Sequence, residues 1–272
     1  MKMKDAIGST NRRHLIDCFL EKHSDRLSNC LLTRAVAKEH KFSGVNFKYT
    51  IFDTCYLRKC TFEDCDFTGC RFSGSNFSGS IFINCTFNYA IFQQTLITDE
   101  ILVNNAPGWE NLKLAFARTL RMNFQSLGDT EAVKKAIALE LEATETHLLK
   151  CWNSPEGYYR SKFGGFGRAK AFLCWSSFKV GDLLWGNGES LWKLLRAVFV
   201  ILVGMALFHV LRTGNLTYLP DYWQALQGMP AVLLGVTTPD SYHPLYLSSL
   251  VLCRLVFFSL FMAILIKRLS RR

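Results

Sequence analysis

The opening residues, MKMKDAIGSTNRRHLIDCF, lack an apolar run and a small-residue cleavage site, so no secretory leader is expected. The soluble part of the chain should then stay in the cytoplasm, where thiols are kept reduced. Catalytic signatures are missing too. The six histidines (His14, His23, His40, His147, His209 and His243) form no H-E-x-x-H, no G-x-S-x-G elbow occurs, and no enzyme is expected. The run FGGFGRAK from Phe163 has neither a Gly-Lys-Ser/Thr ending nor a preceding apolar strand, and reads as a hinge rather than a phosphate loop. Cys55, Cys60, Cys65 and Cys70 stand five apart, which matches neither zinc-ligand nor redox spacing. No metal and no cofactor is expected.

Acidic residues are outnumbered, 22 against 32 Lys and Arg, giving a net charge of +10. Such a balance suggests an anionic partner, either nucleic acid or a phospholipid surface. The position of the charge separates the two. A nucleic-acid binder gathers it on a folded face, whereas a membrane protein sets it beside apolar spans.

What the chain does have is a period. Phe42, Phe47, Phe52, Leu57, Phe62, Phe67, Phe72, Phe77, Phe82, Phe87, Phe92 and Ile97 recur every fifth residue without a break. Two positions before each, from Phe47 onward, sits a smaller side chain: Val45, Thr50, Cys55, Cys60, Cys65, Cys70, Ser75, Ser80, Cys85, Ala90 and Thr95. A strict five fits neither a helix nor a flat strand. It describes a solenoid in which large and small residues alternate inward, and in that setting the cysteines are small buried filler. The pattern resembles the pentapeptide-repeat family, which implies a short right-handed quadrilateral β-helix with four pentapeptides to the coil. On that resemblance residues twenty apart stack, pairing Cys65 with Cys85 and Cys55 with Ser75. Twelve repeats make about three coils, roughly 14 Å tall at the strand spacing, so both ends need caps. The amphipathic stretch RRHLIDCFLEKHSDRLSNCLLTRAV is the expected N-terminal cap. Some members of the family mimic DNA, which requires an acidic solenoid. Here Lys48, Arg58, Lys59 and Arg71 balance Asp53, Glu63, Asp64 and Asp66, and the mimic is rejected.

Beyond the repeats the period becomes helical. Leu112, Leu114, Phe116, Leu120 and Phe124 make one apolar face, and Val133, Ala136, Leu139, Leu141 and Leu148 another. Gly128 followed by Asp129 reads as a C′ glycine and an N-cap, so an αα-hairpin is expected. The next segment is basic and aromatic. Arg168, Lys170 and Lys179 with Trp175, Trp185 and Trp192 suit a helix at a bilayer interface. Two apolar runs follow, 191–211 and 245–266, each long enough to cross a membrane, with Arg254 inside the second. Basic residues before the first and after the second place both ends in the cytoplasm. His209 reads as an interfacial residue near the outer end of its span.

Between the runs, YLPDYWQALQGMPAVLLGVTTPDSYHP starts with an amphipathic helical piece and then turns. The order of span, short apolar segment and span resembles the two-transmembrane pore-loop channels of the potassium-channel superfamily, in the bacterial form fused to pentapeptide repeats. Leu127 to Ala132 and Trp185-Gly186 resemble the linker of such channels. The resemblance implies a homo-oligomeric, tetrameric pore in a bacterial inner membrane, with Gly235, Val236, Thr237, Thr238, Pro239 and Asp240 along the ion path. The filter departs from the family pattern, since both filter glycines are gone and Pro239 both fixes φ and removes an N–H. Rings of Thr237, Thr238 and Asp240 would favour cations weakly, whereas aligning Thr237 and Thr238 one step earlier would delete the filter. Arg254 is either a gating or pore-facing charge or one half of a structural pair, with Asp240 or a backbone carbonyl as its partner.

The chain is thus expected to be of mixed class. It should comprise a helical cap (1–41), a pentapeptide-repeat β-helix (42–100), an αα-hairpin (101–155), an interfacial segment (156–190) and a pore domain (191–272) with its pore loop at 220–244. Three functional readings stand. They are an ion channel whose repeats sense or dock a cytoplasmic protein or small-molecule trigger, a pore that depolarises the membrane under stress or phage attack, and a non-conducting membrane-anchored scaffold. The partners expected are further copies of the chain, membrane lipids and that trigger, but not nucleic acid.

Overall fold

The computed structural model describes residues 12–20, 27–213, 218–237 and 243–269. The chain forms two units, Met1–Gly164 and Gly165–Arg272.

The first unit begins as a β-solenoid of about four turns. Ten short strands build it: β1 (Arg13–Ile16), β2 (Cys30–Thr33), β3 (Val36–Lys38), β4 (Lys41–Ser43), β5 (Ile51–Asp53), β6 (Tyr56–Arg58), β7 (Thr61–Glu63), β8 (Arg71–Ser73), β9 (Ile81–Ile83) and β10 (Ile91–Gln93). From β2 onward every pairing is parallel and joins residues twenty apart, as in Leu32↔Phe52↔Phe72↔Phe92 and Phe42↔Phe62↔Phe82. Three faces carry these ladders, and the fourth is marked by the bridges Asn46↔Asp66 and Asp66↔Thr86.

The period of five follows from the corner geometry. Two residues after each inward position the chain enters the left-handed region, at Thr54 (φ 51°), Lys59 (53°), Asp64 (53°) and Gly69 (70°), among others. That conformation costs a non-glycine residue about 1–2 kcal/mol. As far as Gly74 each corner N–H is then aimed along the stack, where the next coil supplies its acceptor: Thr54 N to Ser73 O at 2.8 Å, Asp64 N to Ile83 O at 2.9 Å. At Gly69 the absence of a side chain serves a second purpose, because a Cβ there would lie 2.6 Å from the ring of Tyr49.

Inside, the phenylalanines form columns. Phe47 and Phe67 lie 4.8 Å apart with planes 2° from parallel, and Phe72 and Phe92 lie 4.7 Å apart at 5°. These spacings are those of the strands, so the backbone ladder sets them. Neighbours around one coil meet edge to face or tilted instead, as Phe62 and Phe67 do at 72° and Phe67 and Phe72 at 52°, away from the face-to-face sandwich that aromatic rings disfavour. Each buried ring contributes about 1.5–3 kcal/mol.

The expected helical cap over 1–41 is corrected. Its described residues continue the solenoid: β1, β2 and β3 lie within it, and Leu27, Leu32 and Ala37 occupy inward positions with 0–1% exposure. Leu and Ala fill these positions where Phe fills the later ones, so the same five-residue spacing reads in sequence as one amphipathic stretch.

The other end is closed by helices. After α1 (Ile101–Asn104), α2 (Glu110–Leu127) sets Phe116 against Phe87 and Phe92, with ring centroids 5.9 and 6.2 Å away. Side-chain amides stand in for the missing next coil. Asn105 accepts from Cys85 N at 3.0 Å and donates to Phe82 O at 3.1 Å. Asn123 does the same for Thr95, accepting from its N–H and donating to its carbonyl, both at 2.8 Å. At Gly128 the backbone turns left-handed (φ 76°), and the Asp129 side chain accepts from Ala132 N to start α3 (Thr130–Asn153). A short α4 (Gly157–Lys162) follows.

The second unit holds α5 (Phe166–Trp185), a single 3-10 turn at Gly186–Gly188, α6 (Leu191–Thr213), α7 (Leu219–Leu234) and α8 (Pro244–Leu269). Leu191–Arg212 and Pro244–Lys267 are long and apolar enough to cross a membrane, and only 22% and 6% of their apolar windows are buried within the chain.

Asn123→Ala should strand both backbone groups of Thr95 and lower stability by about 2–4 kcal/mol. Thr86→Ala, on an exposed face, should change it by less than about 0.5 kcal/mol. Thermal unfolding of the solubilised protein, followed by far-UV circular dichroism, measures both.

Candidate functional site

The solenoid cysteines occupy one kind of position, and their geometry answers what chemistry they do. Ser75 Oγ accepts from Cys55 N at 3.0 Å and donates to Phe52 O at 3.1 Å, one coil back. Ser80 does likewise with Cys60 N and Leu57 O. Cysteines at the same rung point their Sγ to the same kind of acceptor: Cys70 to Phe47 O at 2.9 Å, Cys85 to Phe62 O at 3.3 Å. Serine, threonine and cysteine are interchangeable there because each is small and brings one donor to a buried carbonyl. Filler is thus an incomplete description, since most of these side chains also tie coil to coil. Burial pushes the Cys55 thiol up to about 11 and raises Cys70 as well. Thiols held protonated in this way make poor nucleophiles.

The expected interface anchors fall on α5 and the start of α6. Arg168, Lys170, Trp175 and Lys179 lie on α5, Trp185 ends it, and Trp192 opens α6 with 79% of its surface exposed. Phe166, Leu173, Val180 and Leu183 are exposed along α5. The turn after α5 is fastened at several points. Asp182 pairs with Lys193 at 2.7 Å, Arg196 donates to Leu183 O at 2.9 Å, and Glu189 pairs with Lys267 of α8. Gly181 and Gly186 leave room for this packing, since a Cβ would meet Asn187 Oδ1 at 2.6 Å and Ser190 Cβ at 2.9 Å.

α7 is the element with the most unusual placement. Its 16 residues extend about 24 Å, too short to cross a bilayer core. Pro220 opens it, and Pro230 inside it removes one N–H from the ladder. Ala225 and Met229 pack on Met205, Ala206 and Val210 of α6, with Leu250 of α8 at the edge. Phe208 of α6 stacks on Tyr246 of α8, their centroids 5.2 Å apart.

At its C-terminus α7 stops on Gly235, left-handed at φ 77°, and Val236 N bonds back to Ala231 O at 2.8 Å. The last carbonyl, Leu234 O, receives a donor from another helix: Arg254 Nη1 of α8, at 2.8 Å. Gly235 makes that approach possible, because a Cβ on it would sit 1.9 Å from the same Nη1. Of the expected ion-path residues, Gly235 is thus a helix stop, and Val236 and Thr237 follow it as exposed residues. Thr238, Pro239 and Asp240 lie outside the described residues. Of the two partners expected for Arg254, the backbone carbonyl is present. The sequence held a signal for this pair, a lone arginine in an apolar span and a glycine after an apolar segment, but nothing in it linked the two.

Comparison with known proteins bears on the solenoid alone. Residues 27–71 match the family described as pentapeptide repeats (9 copies), and residues 60–99 match pentapeptide repeats (8 copies). The matched residues begin at Leu27, in agreement with the added N-terminal coil, and end before α1. No curated protein matches the chain.

Two outcomes follow. Native protein treated with N-ethylmaleimide should leave Cys55, Cys60, Cys65, Cys70 and Cys85 unlabelled, and denaturant should expose all five; peptide mass spectrometry reads both states. Gly235→Ala should displace Arg254 and strain the turn, lowering stability by about 1–3 kcal/mol, seen as a lower melting temperature and faster proteolysis after Leu234.

Proposed function

We propose that the protein is an oligomeric membrane ion channel of weak selectivity, with its pentapeptide-repeat solenoid on the cytoplasmic side as a docking or sensing domain. One observation carries this reading, the bond between Arg254 and Leu234. Arg254 stands ten residues into α8, about 15 Å from Pro244 along the helix axis. If α8 spans the bilayer, the end of α7 and the turn at Gly235 to Thr237 are held near mid-depth. Non-helical backbone at that depth is stable only against water or protein. The guanidinium has the same requirement, because a charge facing hydrocarbon is costly. The side of the unit bearing Gly235, Thr237 and Arg254 therefore turns toward further copies and a water-filled path, with the lipid-facing sides of α6 and α8 outward. The exposed apolar residues of α5, flanked by Arg168, Lys170 and Lys179, suit the headgroup layer of the cytoplasmic leaflet.

A second reading, a non-conducting membrane anchor for the solenoid, is favoured by the segment after α7, where Pro239 and the loss of the filter glycines argue against a potassium-type filter. Purified protein in liposomes separates the two. The channel reading expects release of loaded potassium, sodium or chloride from proteoliposomes and a closed symmetric oligomer in detergent. A monomer or dimer that releases none of the three ions would establish the anchor. In cells, overproduction of an open, weakly selective pore should collapse the membrane potential, reported by a potential-sensitive dye, whereas unchanged potential and growth would count against it.

A further inference from the structure

The geometry points to Arg254 as the residue that sets the charge preference of the ion path, and sets it against cations. This rests on the pore reading above.

A helix presents the equivalent of about half a negative charge at its C-terminus, carried by its unpaired carbonyls. Short helices that end near mid-membrane around a common axis would converge these negative ends and draw cations inward. In this chain the end is occupied. Arg254 Nη1 donates to Leu234 O at 2.8 Å, placing a whole positive charge against the half negative one. The net sign at the tip of α7 is reversed.

Three features keep the charge there. Arg254 is about 15 Å from the start of α8 and about 20 Å from Lys267, beyond the reach of its side chain to either surface. Gly235 leaves the volume that the guanidinium fills, since its Cβ position is 1.9 Å from Nη1 and 3.1 Å from Cζ. Among the described residues the partner is a neutral carbonyl and not a carboxylate, so the pairing satisfies a hydrogen bond without cancelling the charge. Arginine also suits the task better than lysine, because its planar group carries further N–H donors with which to meet a passing anion. The weak cation preference expected from threonine and aspartate rings is therefore opposed within the same short stretch.

The test uses full-length protein in planar bilayers under a tenfold KCl gradient. Wild-type current should reverse at zero or on the chloride side of zero. Arg254→Gln should move reversal toward potassium, raising the potassium-to-chloride permeability ratio about threefold or more, and Arg254→Lys should keep the wild-type sign. A wild-type reversal anywhere on the potassium side of zero overturns the inference without any variant having to fold. So does an unchanged ratio in a conducting Arg254→Gln protein. Absence of wild-type current rejects the pore reading itself, a result distinct from current of the wrong selectivity.

Discussion

A carbonyl left without a partner in its own helix or coil needs another donor, and each part of this protein supplies one by a different means. In the solenoid, the corner N–H groups and the small side chains between the rings bond from coil to coil, so that Ser75 serves Phe52 O and Cys70 serves Phe47 O. At the last coil no further backbone follows, and Asn105 and Asn123 take its place. At the end of α7 the carbonyl of Leu234 is met by a guanidinium from a different helix. The rings in the solenoid provide most of the burial. The backbone requirement decides where that burial can stop.

This division explains which features the sequence displayed. A requirement met by repetition leaves a period, and the phenylalanines from Phe42 to Phe92 were legible for that reason. The serines and cysteines two positions earlier were legible as small, but their role as donors was not, because that role depends on a coil 23 residues back. The N-terminal coil was hidden by substitution. Leu27, Leu32 and Ala37 keep the spacing and lose the phenyl ring, and aliphatic residues so spaced among charges resemble an amphipathic helix. Asn105 and Asn123 gave no warning at all. A single buried asparagine in a helical segment has no periodic signature, and its partners are main-chain atoms.

The second unit shows the same contrast at a candidate site. Arg254 was conspicuous as a charge in an apolar span, and Gly235 as a glycine after an apolar segment. Gly235 was read only as an ion-path residue; its left-handed turn also ends α7 and opens space for Arg254. A backbone carbonyl has no residue type, so the pairing of Arg254 with Leu234 O could be anticipated only as one of two partners. In the proposed pore its consequence is mechanical and electrical together: it would fix the depth of α7 and the sign of the charge at its tip.

The central claim is that α7 enters the membrane and ends near its middle, held there by α8. Imaging the purified protein in a lipid nanodisc to a resolution that shows side chains tests it most directly. The account predicts several copies around one axis, Leu234 near the bilayer midplane within hydrogen-bond distance of Arg254, and residues 235–237 facing the axis. A monomer or dimer with α7 lying flat on the membrane surface and Arg254 turned elsewhere would contradict it.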